Sequence, residues 1–83
     1  MITTQTTLKT LTAGRFFFFD DASNQGEPFK RWFRVSWLEG DGVTQKPRFL
    51  FARRMDHKPS SRLSEQLKFR LSKHGNRLVQ VQQ

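Results

Sequence analysis

Apolar and polar residues interleave along Phe29-Lys30-Arg31-Trp32-Phe33-Arg34-Val35-Ser36-Trp37-Leu38, a run rich in the aromatic and β-branched types that favour strands. Successive side chains of a strand point to opposite faces, so Phe29, Arg31, Phe33, Val35 and Trp37 share one face and Lys30, Trp32, Arg34, Ser36 and Leu38 the other. The odd face is assigned to the core. A second run, Arg48-Phe49-Leu50-Phe51-Ala52-Arg53-Arg54, again sets two Phe on odd positions. Gly40-Asp41-Gly42 between the runs suits a three-residue hairpin loop, because Gly tolerates the positive φ that such a loop demands. Counting back from that loop sets Phe33 opposite Phe49, Trp32 opposite Leu50 and Arg34 opposite Arg48. Like charges directly across a ladder cost up to about 1 kcal/mol, so the arginine pair makes most sense with an anion between its members.

Ahead of the hairpin, Thr7 to Thr12 is compatible with a short edge strand, and residues 1–13 equally with a loose arm. Arg15-Phe16-Phe17-Phe18-Phe19 is too short for a helix and too apolar to be exposed on either side. It predicts a central strand buried on both faces, or one whose second face meets the helix. After the hairpin, Leu63, Leu67 and Leu71 recur every four residues, which predicts a helix from about Ser61 to His74 with Gly75 as its stop. Phe69 does not fit that stripe: at about 100° per residue it points away from it, beside Arg62 and Lys73. The alternation in Leu78-Val79-Gln80-Val81-Gln82 predicts a last strand returning beside the phenylalanine strand. The expected fold is therefore α+β, a single domain over residues 1–83 with a twisted antiparallel sheet of three to five strands and one helix on a face.

Charge changes what such a sheet is expected to do. The chain has 15 Lys plus Arg against 7 Asp plus Glu, a formal net charge of +8, in 83 residues. A field of that sign favours polyanions, nucleic acid first. The excess begins at the hairpin, since residues 15–27 hold one Arg and three acids. There are no cysteines, so disulfides and thiolate metal sites are excluded. Neither a signal-peptide pattern nor an apolar run of membrane-spanning length occurs, and a cytoplasmic setting is the expectation.

Catalytic chemistry finds little support. Most acids fall in predicted turns, and strand alternation sends Asp20 and Asp21 to opposite sides, which argues against a shared Mg²⁺. His57 and His74 each lack a second ligand at metal spacing, and no phosphate-cradling glycine loop or nucleophile motif is present. No enzyme activity, metal or cofactor is expected.

Binding is better supported. Single strands are held by basic groups on phosphates and by aromatic rings under bases, at about 1–3 kcal/mol per stacked base. On the even face of the hairpin Trp32 is the expected stacking ring, with Lys30, Arg34, Arg48 and Arg54 around it as phosphate contacts; Arg53, odd in parity, joins them because it lies near the strand end. Arg62, Phe69 and Lys73 on the helix form a second expected contact. The expected function is a non-enzymatic nucleic-acid-binding module, single-stranded DNA or RNA favoured over duplex. The alternative is a protein-interaction module, either a homodimer or a small mobile-element inhibitor docking on a host protein or nucleoprotein. It follows if the odd face is the exposed one, because Phe29, Phe33 and Trp37 would then form an apolar patch.

Overall fold

In a computed structural model of the chain, residues 2–21, 32–40, 46–55 and 63–83 are described, side chains excepted at 55 and 63–65. The elements run in the order β1 (Thr3–Thr7), a 3-10 turn (Leu8–Thr10), β2 (Phe16–Phe19), β3 (Phe33–Gly40), β4 (Pro47–Met55), β5 (Leu63–Arg70), α1 (Leu71–His74) and β6 (Leu78–Gln82). The six described strands form one sheet in the order β1-β6-β2-β3-β4-β5, and every neighbouring pair is antiparallel. The fold is thus broadly α+β, with more strands and less helix than the sequence predicts.

The largest correction lies between residues 61 and 74. Ser61 and Arg62 are outside the described residues, Leu63–Arg70 is a strand paired with β4, and only Leu71–His74 is helical. Glu, Gln, Leu, Lys and Arg are good helix formers, but pairing along an open sheet edge overrides so weak a preference. In the strand the alternation is clean: Leu67 and Phe69 face the core, while Gln66, Lys68 and Arg70 face out. The helix end does stand where Gly75 implies it, with the Gly75 N–H donating to the Leu71 carbonyl. A Cβ on Gly75 would run into that carbonyl and crowd Lys9 Cβ at 3.3 Å, so the turn requires glycine.

The main core lies on one side of the sheet. Phe17 and Phe19 from β2, Phe33 and Val35 from β3, Leu50 and Ala52 from β4, and Val79 and Val81 from β6 are buried together, with Leu8 and Leu11 closing over them. The sheet must curl tightly to do this. Strands spaced about 4.8 Å apart would put β5 about 14 Å from β2 in a flat sheet. Instead the Phe69 ring of β5 lies 5.5 Å from Phe19 of β2 and 6.2 Å from Phe33 of β3. Irregularities in the β3–β4 ladder at Ser36 and at Arg48, and one between β4 and β5 beyond Arg53, supply local twist. The inner face is therefore concave and filled, and the outer face is convex.

The β2 run behaves as its composition implies. Phe17 and Phe19 enter the main core, while Phe18 turns to the outer face and meets Trp32 edge-on at 5.0 Å. Its neighbours are β3 and β6, so it is central and β6 returns beside it. The edge strand formed by the N-terminal threonines covers Thr3–Thr7 rather than Thr7 to Thr12, and pairs with β6.

Candidate nucleic-acid interface

The side chains available for binding are set by the β3–β4 register, which differs from the one counted back from a three-residue loop. Gly40 pairs with Pro47, so the connection is longer, and residues 41–45 fall outside the described residues. Arg34 consequently faces Arg53, not Arg48; Phe33 faces Arg54, not Phe49. The cross-strand arginine pair exists with a different partner. Arg48 lies five residues from Arg53, about 17 Å along an extended strand.

The irregularity at Ser36 has the larger consequence. Val35 pairs with Ala52 and Trp37 with Phe51, so Ser36 is the extra residue and parity reverses across it. Before it the odd residues Phe33 and Val35 point inward as predicted; after it Leu38 packs against the core and Trp37 points out, 46% exposed. Phe49 and Phe51, assigned to the core from their odd positions, are likewise on the outer side, because Leu50 and Ala52 fill the inner one.

Three rows of side chains result across the outer face of β3, β4 and β5: Arg34, Arg53 and Gln66; Trp37, Phe51 and Lys68; Glu39, Phe49 and Arg70. Trp37 and Phe51 stack nearly parallel, 18° apart at 4.6 Å between centroids. The Lys68 ammonium sits 4.2 Å from the centre of the Phe49 ring and 5.9 Å from that of Phe51. The two cross-strand arginines lean on partners away from their shared seam: Arg34 on the Phe16 ring at 6.0 Å, Arg53 through Nε on the Gln66 amide oxygen at 3.1 Å. Arg34, Lys68 and Arg70 make no ion pair among the described residues. Four cations and three rings thus share a surface on which Glu39 is the described acid.

The remaining expected contacts scatter. Lys30 and Arg62 lie outside the described residues. Trp32, the expected stacking ring, is only 5% exposed, packed with Phe18 and Phe16 on the outer face beside β2. It is a core residue, because alternation says which side a ring occupies and not whether a neighbouring ring buries it. Arg48 and Arg54 are exposed at opposite ends of β4 on the parity of the inner face. Lys73 is exposed on α1, but Phe69 is packed inward against Phe19 and Phe33, so the expected second contact is not assembled.

Trp37, Phe49, Phe51, Lys68 and Arg70 were the residues the parity argument missed. For Lys68 and Arg70 a signal was present: Leu67, Phe69 and Leu71 alternate with Lys68, Arg70 and Ser72, which is a strand pattern. No comparable signal marks the bulge at Ser36.

The two carboxylates that follow β2 part company. Asp20 accepts from the Gln5 and Gln80 side-chain amides at 3.0 and 2.7 Å. Asp21 takes Arg77 in a two-point pair, Nε to Oδ2 at 2.7 Å and Nη2 to Oδ1 at 3.3 Å, with the guanidinium 3.9 Å above the Phe19 ring. No cluster of three metal-ligating side chains occurs among the described residues, and no described helix is long and apolar enough to cross a membrane. Neither a family model, nor a curated protein, nor a solved structure matches the chain.

Proposed function

We propose that the chain is a non-enzymatic module that binds single-stranded nucleic acid across the outer face of β3, β4 and β5. The observation that carries this reading is the exposed Trp37–Phe51 stack with Arg34 and Arg53 on one side and Lys68 and Arg70 on the other. A base laid on the free side of Trp37 brings its flanking phosphates toward cations at both ends. The Arg34–Arg53 seam, unfavourable in the free protein, becomes favourable around a phosphate. From the Arg34–Arg53 row to the Phe49–Arg70 row the strand covers about 13 Å, room for two nucleotides. Duplex fits less well, since a convex, ring-bearing sheet offers stacking that paired bases cannot use.

Fluorescence anisotropy of a labelled single strand, read at several salt concentrations, tests this directly. Four cations on the strand predict a slope of log affinity against log salt of about −2 to −3. Trp37→Ala combined with Arg53→Ala should weaken binding by at least tenfold with the thermal transition little changed. Quenching of tryptophan emission by the strand should vanish in Trp37→Phe and survive in Trp32→Phe. Absence of binding at low salt, or quenching that tracks Trp32, overturns the reading.

A further inference from the structure

At the end of the sheet where β3 passes into β4, the outer face runs into a cleft of about 760 Å³. Its size lies within the range of small-molecule sites. Phe49, Leu71 and Pro47 give it apolar walls, and Lys9, Lys46, Arg48 and Arg70 are the charged side chains among its described lining residues. Phe49 and Arg70 belong both to this cleft and to the last row of the outer face. The two surfaces are therefore continuous around one edge.

The cleft is built rather than incidental. Lys9 comes from the 3-10 turn near the chain start, whose backbone is tied to the turn after α1: the Leu8 N–H donates to the Arg77 carbonyl and the Lys9 N–H to the Gly75 carbonyl, both at 3.0 Å. Leu8 is completely buried beneath it. Arg70 and Leu71 sit at the junction of β5 and α1 on the facing side. Arg48 owes its place to the irregularity between Glu39 and Gly40, which takes it out of the ladder. Apolar walls beside the cations of Lys9 and Arg70 suit a ligand that is a flat ring at one end and an anion at the other.

We infer that this cleft holds one nucleotide unit, its base against Phe49 and Leu71 and its phosphate between Lys9 and Arg70. The inference rests on the proposed function only for the source of that unit. A strand leaving the outer face would place its next nucleotide here, giving a footprint of about three; a free nucleoside monophosphate offers the same chemistry.

Residue-resolved amide NMR on the full chain separates these cases, with thymidine 5′-monophosphate, thymidine and a thymidine hexanucleotide as probes. The monophosphate should move the amide signals of Lys9, Arg70, Leu71 and Ser72, and thymidine without phosphate should move them far less. Ser72→Glu, an added negative charge at an exposed lining position, should weaken that response at least fivefold. Ala13→Glu, the same charge on an exposed turn outside the cleft, should leave it unchanged. Movement of cleft and outer-face signals together with the hexanucleotide identifies the unit as part of a strand; movement of the cleft with the monophosphate alone identifies a free nucleotide, and the proposed function then falls while this site stands. A hexanucleotide that moves Trp37 and Lys68 but leaves Lys9 and Ser72 still, with no response to the monophosphate, overturns the cleft and leaves the outer-face reading intact. Equal weakening by Ser72→Glu and Ala13→Glu reduces the site to the general field of the protein and also overturns it.

Discussion

Trp32 and Trp37 stand five positions apart on the same side of the sheet, and their surroundings differ in kind. Trp32 meets Phe18 edge-on and is almost wholly buried; Trp37 lies flat on Phe51 with nearly half its surface exposed. The contrast extends to the two halves of the outer face. Around β1, β6 and β2 the polar groups answer one another: Thr3 donates to the Gln80 amide oxygen at 2.9 Å, and Gln5 and Gln80 both donate to Asp20. Around β3, β4 and β5 cations lie over rings or beside an amide, with an arginine facing an arginine. One half satisfies itself. The other carries Arg34, Lys68 and Arg70 with no ion pair among the described residues.

If that division is real, the two tryptophans must respond very differently to truncation. Removing a buried aromatic side chain typically costs about 3–5 kcal/mol, whereas a chain of this size has roughly 4–12 kcal/mol in all. Trp32→Ala should therefore be largely unfolded or lose most of its thermal margin. Trp37→Ala forfeits an exposed stacked pair worth about 0.5–1.5 kcal/mol and should stay folded. Urea denaturation followed by circular dichroism measures both. Comparable losses in the two variants would mean that Trp37 is structural, and the binding surface would lose its centre.

A smaller effect distinguishes the halves by sign. Asp20→Ala strips the acceptor from two amide donors in the self-satisfied half and should destabilise by about 1–3 kcal/mol, since hydrogen bonds to charged groups are the stronger kind. Arg34→Gln removes one member of a like-charge cross-strand pair and should be neutral or stabilising by up to about 1 kcal/mol, while weakening the binding of a single strand. Destabilisation by Arg34→Gln of the size seen for Asp20→Ala would show that the arginine seam is held together by something in the folded chain and does not await an anion.

How much of this was legible beforehand depends on the kind of signal. The β2 phenylalanines and the alternating β6 declare themselves, because four consecutive rings can only be buried on both sides and Val-Gln-Val can only alternate. Leu63, Leu67 and Leu71 misled because spacing by four fits a helix face and a strand face of even period equally well. Phe69 was the residue that separated the two readings, anomalous on the helix and ordinary on the strand. The outer face was hidden for a different reason. Its members are set by one extra residue at Ser36 and by the length of the β3–β4 connection, and a period-2 argument carries no information across a bulge. Basic residues interleaved with aromatics marked the right hairpin, but which rings emerge from it required the register.

The smallest effect concerns the turn that anchors the cleft wall. His74 ends α1 with its ring edge-on to Phe69 at 5.9 Å and its Nδ1 3.5 Å from Arg77 Nη1. Partial burial, then the positive charges of Arg77 and Lys73, hold its pKa below the usual 6.5. The sign of the linkage follows. Above about pH 6.5 both folded and unfolded chains carry a neutral imidazole and His74 contributes no pH dependence. As the pH falls below that value the unfolded chain takes up the proton first, so stability declines until the folded-state pKa is reached and is level beneath it. The decline is the contribution of this one partly buried ring. His74→Gln should flatten this part of the urea midpoint against pH while leaving acid unfolding by the carboxylates in place at lower pH. Because Arg77 also carries the pair with Asp21, Arg77→Gln is expected to raise the His74 pKa toward normal and to lower stability at the pH values where Asp21 is ionised. A pH profile that His74→Gln leaves unchanged would assign the slope to other groups and remove the Arg77–His74 contact from the forces that fix the turn beside Lys9.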